Sequence, residues 1–215
     1  METTGVGHRK RWRPLEIKGV VLAGGKSSRM RREKAFLPSE GAGFKTLLSR
    51  QVELLKEIGL SEVLVSLRRG MISPDPGLKV IHDATEGLGP LSGIVAAMRL
   101  APEHHLLVLA VDLGCMDAHF LRSVIARSSD SRGAAPRVLG RWEPLCAVYP
   151  PHALSSARAV LASPIRSPST LVARLETEGV MKEYLVPTGE RDRLRSWNFP
   201  EDLPANVRYR SEQFP

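Results

Sequence analysis

The sequence predicts an α/β protein built on a mostly parallel sheet, and three observations lead there. Short runs of Val, Leu and Ile alternate with longer stretches of helical periodicity. The runs are almost continuously apolar, as expected of strands covered on both faces. Glycines and carboxylates sit just after several of these runs, on the side where open sheets of this class bind ligands.

The first run, "GVVLA" (Gly19–Ala23), is a strand that stops at a double glycine. "FKTLLSRQVELLKEIG" follows, with Phe44, Leu47, Leu48, Leu55 and Ile58 at three- and four-residue steps, a helical stripe that Gly59 can end. "EVLVSL" (Glu62–Leu67) and "LKVIH" (Leu78–His82) are the next strands. "PLSGIVAAMRLAP" reads as a helix closed near Pro102, and "LLVLAV" (Leu106–Val111) as the most apolar strand. "DAHFLRSVIARSS" is a third helix with Asp117 as its N-cap. "AAPRVLGRWEPLCAVYP" suggests two extended pieces joined near Gly140. Helices are expected around Ala153–Leu161 and Ser169–Glu178, with a late strand in "MKEYLVP". Right-handed crossovers would connect the parallel strands.

A chain of 215 residues with 42% hydrophobic content is long enough for one domain with a proper core. We expect a basic arm over residues 1–17, a single domain over 18–208 and a tail over 209–215. The net charge of +8 calls for an anionic partner. Low aromatic content disfavours a stacking surface for nucleic acid, and the basic stretch "HRKRWRP" reads as a solvated arm. No apolar run approaches the roughly 20 residues of a membrane span, and a signal-peptide centre is missing. The two cysteines, Cys115 and Cys146, form no CxxC pair, so a reduced, cytoplasmic location is expected. His104 and His105 are adjacent, so a strand turns them to opposite faces and a metal site there is disfavoured.

"AGGKSS" after the first strand, Asp83 after the third and Asp112 after the fourth converge on one sheet edge. Gly24 and Gly25 can adopt positive φ and bring backbone N–H groups close to an anion. Arg29 and Lys34 add positive charge beside them. The loop is neither GxGxxG nor a P-loop. Asp112 and Asp83 are either turn formers or ligands for nucleotide and Mg²⁺, an ion that takes one or two carboxylates and completes its shell with phosphate and water.

Taken together, "LAGGKSSRMRREK", "GPLSGIVAAM", "AVD", "GRWEPLCAVY" and "NFPEDL" resemble, in order and from Lys18 to about Leu203, the molybdenum cofactor guanylyltransferases of the nucleotidyltransferase superfamily. The resemblance implies a Rossmann-like three-layer sandwich of the nucleotide-diphospho-sugar transferase type. It implies transfer of GMP from GTP to molybdopterin cofactor, with Mg²⁺ as cofactor and molybdoenzymes or cofactor-insertion chaperones as further partners. Leu22, Ala23 and Gly24 then match the nucleotide loop, with Gly25 beside them. Lys34 matches the phosphate contact, Asp83 a nucleotide contact, and Asp112 the carboxylate that touches nucleotide and metal. Asn198 matches an asparagine on the acceptor side, and Gly140–Tyr149 the acceptor segment. The pattern departs at Arg31 (a family glycine), Glu33 (an aspartate), "AVDLG" (two prolines lost), Ser66 and Ser196 (asparagines). A cytidylyltransferase for the same cofactor, a sugar-1-phosphate nucleotidyltransferase, or a nucleotide-binding chaperone without turnover are the rival readings.

Overall fold

In the computed structural model, residues 16–25, 33–39, 46–73, 75–82, 88–205 and 207 are described. They form an eight-stranded mixed sheet between two helical layers. In chain order the strands are β1 (Ile17–Leu22), β2 (Val63–Leu67), β3 (Lys79–His82) and β4 (His105–Ala110), then β5 (Gly133–Val138), β6 (Arg141–Trp142), β7 (Cys146–Tyr149) and β8 (Met181–Leu185). The helices are α1 (Leu47–Glu57), α2 (Pro90–Leu100), α3 (Ala118–Arg127), α4 (Leu154–Leu161) and α5 (Pro168–Thr177).

Spatially the strands run β3-β2-β1-β4-β7-β5-β6, with β8 added on β5. The first four are mutually parallel, β5 and β8 are parallel to each other, and β7 runs antiparallel between β4 and β5. The expected mostly parallel architecture is therefore present, with β6 and β7 running the opposite way. The reversal arises because β5 and β6 form a tight hairpin around Leu139 and Gly140, both at positive φ. The chain then re-enters the sheet beside β4.

Alternate residues of each central strand serve opposite faces. In β1, Val21 packs with α1 and α3 residues such as Leu48 and Phe120, whereas Val20 and Leu22 pack with α2 and α5 residues such as Ile94 and Leu171. Burial of each such side chain contributes roughly 1.5–3 kcal/mol, which explains why the strands read as unbroken apolar runs. The helix ends match their sequence signals. Thr46 caps α1 by accepting from Ser49 N–H, Gly59 stops it at φ +95°, and Asp117 caps α3 by accepting from Phe120 N–H at 2.8 Å. His104 and His105 do part company: His104 approaches Glu16, and buried His105 lies 3.1 Å from the Ser129 carbonyl.

At the start of the sheet, Glu62 accepts from Lys18 and Lys79 at 2.6 and 2.5 Å. Those two ammonium groups lower its carboxyl pKa from the ordinary 4.5 to about 2. A depressed carboxylate stabilises the fold above its unfolded value and loses that contribution as pH falls toward the folded one. Because the group is partly exposed, solvent screening limits the effect. Glu62→Gln should cost about 0.5–1 kcal/mol at neutral pH. The gap should narrow below about pH 5 and close near pH 2, as read by denaturant unfolding across that range.

Candidate functional site

Three side chains from distant parts of the chain meet at the carboxyl ends of β1 and β4. Asp112 lies just past β4, where Val111 N–H still donates to the Leu22 carbonyl of β1 at 3.1 Å. Lys34 opens a short 3-10 turn, Lys34–Phe36, that follows the glycine loop and packs against α1. Asn198 comes from the C-terminal segment. The Lys34 ammonium donates to Asp112 Oδ2 at 3.0 Å and to Asn198 Oδ1 at 2.8 Å. Both members of the ion pair are largely but not fully covered, with side-chain exposures of 16% and 22%. This is a site a ligand can reach while solvent screening is reduced.

The sequence explains how each member is held. Asp112 sits on a loop that α1 grips from one side. Fully buried Gln51 donates from Nε2 to the Leu113 carbonyl at 2.8 Å, and Arg50 donates to the Met116 carbonyl at 2.8 Å. Asn198 is fixed through its main chain. Asp202 Oδ2 accepts from both Asn198 N–H and Phe199 N–H at 2.8 Å, and these two bonds hold its carboxyl below the usual range. Trp197 N–H donates to the Asp112 carbonyl at 2.9 Å, and its ring lies directly against Gly114. The C-terminal segment is thus clamped onto the loop that carries the carboxylate.

Of the expected site residues, the structure brings Leu22, Ala23, Gly24, Lys34, Asp112 and Asn198 to this edge. Arg29 and Asp83 lie outside the described residues. Leu22 and Ala23 are buried, and their backbone is engaged by Val111 N–H and the Ser66 carbonyl. The reason for glycine at 24 differs from the expected one. Neither Gly24 nor Gly25 is at positive φ. A Cβ on Gly24 would instead fall 2.8 Å from Arg68 N, so the position demands close backbone approach to β2. Gly25 faces open space. Glu33, which stands where the resembled family has aspartate, pairs with Arg68 at 2.5 Å and ties the start of the lysine turn to the same strand end. Ser66 is buried one rung inside the edge, level with Leu22.

The arrangement can hold a cation between hard oxygens. Asp112 Oδ2 and Asn198 Oδ1 already converge on one positive nitrogen, and carboxylate and amide oxygens are the donors Mg²⁺ prefers. Among the described residues no group of three or more His, Cys, Asp or Glu side chains could hold a metal. A divalent ion here would therefore draw most of its shell from a phosphate-bearing substrate and water.

Residues 19–178 match the profile of the MobA-like NTP transferase domain. The chain belongs to this family. A protein of Opitutus terrae named "Probable molybdenum cofactor guanylyltransferase" is 35% identical over 189 residues, covering 86% of this chain and 92% of the relative. Among solved structures, the molybdopterin-guanine dinucleotide biosynthesis protein A of Archaeoglobus fulgidus superposes with a TM-score of 0.66 at 21% identity, over 91% of this chain and 97% of that one. A nucleotidyl transferase of Methanothermobacter shares the fold with a TM-score of 0.69 at 17% identity, over 93% and 99%. The fold and the family are thus those of MobA-like nucleotidyltransferases. No helix among the described residues is long and apolar enough to cross a membrane.

Sequence reasoning did not find Gln51, Asp202 or the Trp197–Gly114 contact. The signal for Gln51 was an amide inside an apolar helical stripe. The signal for Asp202 was an acidic residue four positions after Asn198, where it can reach back to two free N–H groups.

Proposed function

We propose that this MobA-like protein transfers GMP from GTP to molybdopterin cofactor, releasing pyrophosphate and forming the molybdopterin guanine dinucleotide cofactor. The observation that carries the reading is the Lys34 ammonium joined to Asp112 and Asn198 at the edge where β1 runs into the glycine loop. The guanylyltransferase names of the relatives supply the substrate pair.

In this reading the terminal phosphate of the acceptor attacks the α-phosphorus of GTP in line, and the bond to pyrophosphate breaks. A phosphate oxygen is already nucleophilic at neutral pH, so the protein contributes positioning and charge rather than a general base. Gly24 seats the start of the loop against the end of β2, beside the nucleotide. Lys34 supplies positive charge to the phosphates, and Arg29 of the basic loop adds to it. Asp83 and Leu22–Ala23 bound the nucleotide. Asp112, with Asn198 beside it, would hold Mg²⁺, which supplies charge neutralisation along the triphosphate and the departing pyrophosphate. A cytoplasmic setting fits this chemistry, since both substrates are phosphorylated metabolites.

The deciding experiment measures pyrophosphate release with each of the four NTPs, with and without molybdopterin cofactor, in Mg²⁺ and after chelation. Release with GTP alone among the nucleotides, dependent on the acceptor and on Mg²⁺, is expected. Release with CTP would move the protein to the cytidylyl branch. Tight GTP binding without release would make it a nucleotide-binding chaperone.

A further inference from the structure

Glu143 is a carboxylate that the fold holds rigidly and leaves without a partner among the described residues. Four hydrogen bonds fix the backbone around it. Glu143 N–H donates to the Pro136 carbonyl at 2.9 Å, and Cys146 N–H to the Glu143 carbonyl at 3.3 Å. Tyr149 Oη donates to the Pro144 carbonyl at 2.9 Å, and Ala110 N–H to the Leu145 carbonyl at 2.8 Å. The side chain is half-buried, yet its carboxylate makes no hydrogen bond or ion pair among the described residues. Desolvation accordingly raises its carboxyl pKa. A partly desolvated charge that no protein group compensates is costly, and at a substrate edge that cost is recovered when a ligand supplies the donors.

Position selects the ligand. β4 and β7 pair with Leu109 opposite Cys146 and Ala110 bonded to Leu145. The turn from Glu143 to Cys146, closed by Cys146 N–H, therefore lies at the carboxyl end of β4, the end that carries Asp112. The strand order then divides the edge about β4. The glycine loop lies on the β1 and β2 side, and Glu143 lies on the β7 and β5 side. A nucleotide seated on the glycine loop leaves the Glu143 side to the acceptor. A carboxylate has two acceptor oxygens that match two neighbouring N–H groups on a planar edge. The 2-amino-4-oxo edge of a pterin presents that pair.

We infer that Glu143 is the acceptor-recognition residue, reading the amino-oxo edge of the pterin while Asp112, Lys34 and Asn198 serve the phosphates. This rests on the guanylyltransferase reading above, and the test separates the two. Steady-state rates of the full chain would be measured with GTP and molybdopterin cofactor varied in turn. Binding of a simple 6-substituted pterin would be followed through its own fluorescence.

Glu143→Gln keeps the shape but turns one acceptor into a donor that opposes the pterin N–H. It should raise the acceptor KM and the pterin Kd by about tenfold to a hundredfold, the range for a hydrogen bond to a charged group, while the GTP KM stays within about twofold. Glu143→Asp, which keeps the charge, should fall between. Unchanged acceptor KM and pterin affinity in Glu143→Gln would overturn the assignment while leaving the reaction intact. A rise in the GTP KM instead would overturn it in favour of guanine recognition. If the parent protein neither binds pterin nor consumes GTP with the acceptor, the guanylyltransferase reading itself falls, and the inference with it.

Discussion

Asp112→Asn should abolish most turnover while leaving the protein folded. The substitution preserves side-chain volume at a residue that is not part of the apolar core. The amide oxygen can still accept from Lys34, and the main-chain carbonyl of residue 112 still accepts from Trp197 N–H. Melting should therefore change by no more than the cost of a partly exposed ion pair, about 1 kcal/mol or less. The charge is what disappears. Under the proposed reaction, negative charge builds on the α-phosphate and the departing pyrophosphate, and Asp112 anchors the cation that balances it. Removing one preorganised electrostatic contact typically costs about 10²–10³ in rate, and loss of a metal anchor exceeds that. Pyrophosphate release at saturating GTP and acceptor, over a series of Mg²⁺ concentrations, reads the effect. Turnover close to the parent at equal Mg²⁺ would remove Asp112 from the reaction.

Asp112 could be found in the sequence because its position follows from a rule of architecture. It ends the most apolar run, and in an open α/β sheet such an end faces the ligand crevice. Lys34 was legible for a related reason, as a cation closing a loop that leaves β1. Asn198 was not legible in that way. Its 164-residue separation from Lys34 means that only the resemblance of "NFPEDL" pointed to it.

The core elements were readable because burial on both sides of the sheet writes continuous apolar runs, and burial on one side of a helix writes a three-to-four stripe. The place of β7 was not. "CAVY" has the same apolar character whether its strand runs with or against its neighbours, so direction and order depend on the hairpin at Leu139–Gly140. Gly24 gives the converse case. Its residue type was read correctly as significant, but the backbone of Arg68, not a left-handed conformation, excludes a side chain there. A glycine in sequence does not reveal which of its two properties is being used.

The second large effect is expected at Gly114, a residue that carries no chemistry. A Cβ at this position would sit 2.4 Å from three atoms of the Trp197 ring, well inside van der Waals contact. The ring has little room to retreat, since Trp197 is only 2% exposed. Its N–H is also tied to the Asp112 carbonyl at 2.9 Å. Gly114→Ala should therefore push the C-terminal segment away from the 112–114 loop and draw Asn198 off Lys34. Overpacking of this kind costs about 1–3 kcal/mol. At roughly 2–4 °C per kcal/mol for a chain of this size, melting should fall by about 2–12 °C. A misplacement of about 1 Å near reacting groups can cost about 10² in rate, so turnover should fall further than stability alone explains. The rescue is specific. Trp197 Nε1 is buried without a hydrogen-bond partner among the described residues, so replacing the indole breaks no side-chain hydrogen bond there. Trp197→Phe in the Gly114→Ala background should restore part of both melting temperature and rate, by making room for the added methyl group. Parental melting and turnover in Gly114→Ala alone would show that the segment bearing Asn198 is not held by this contact.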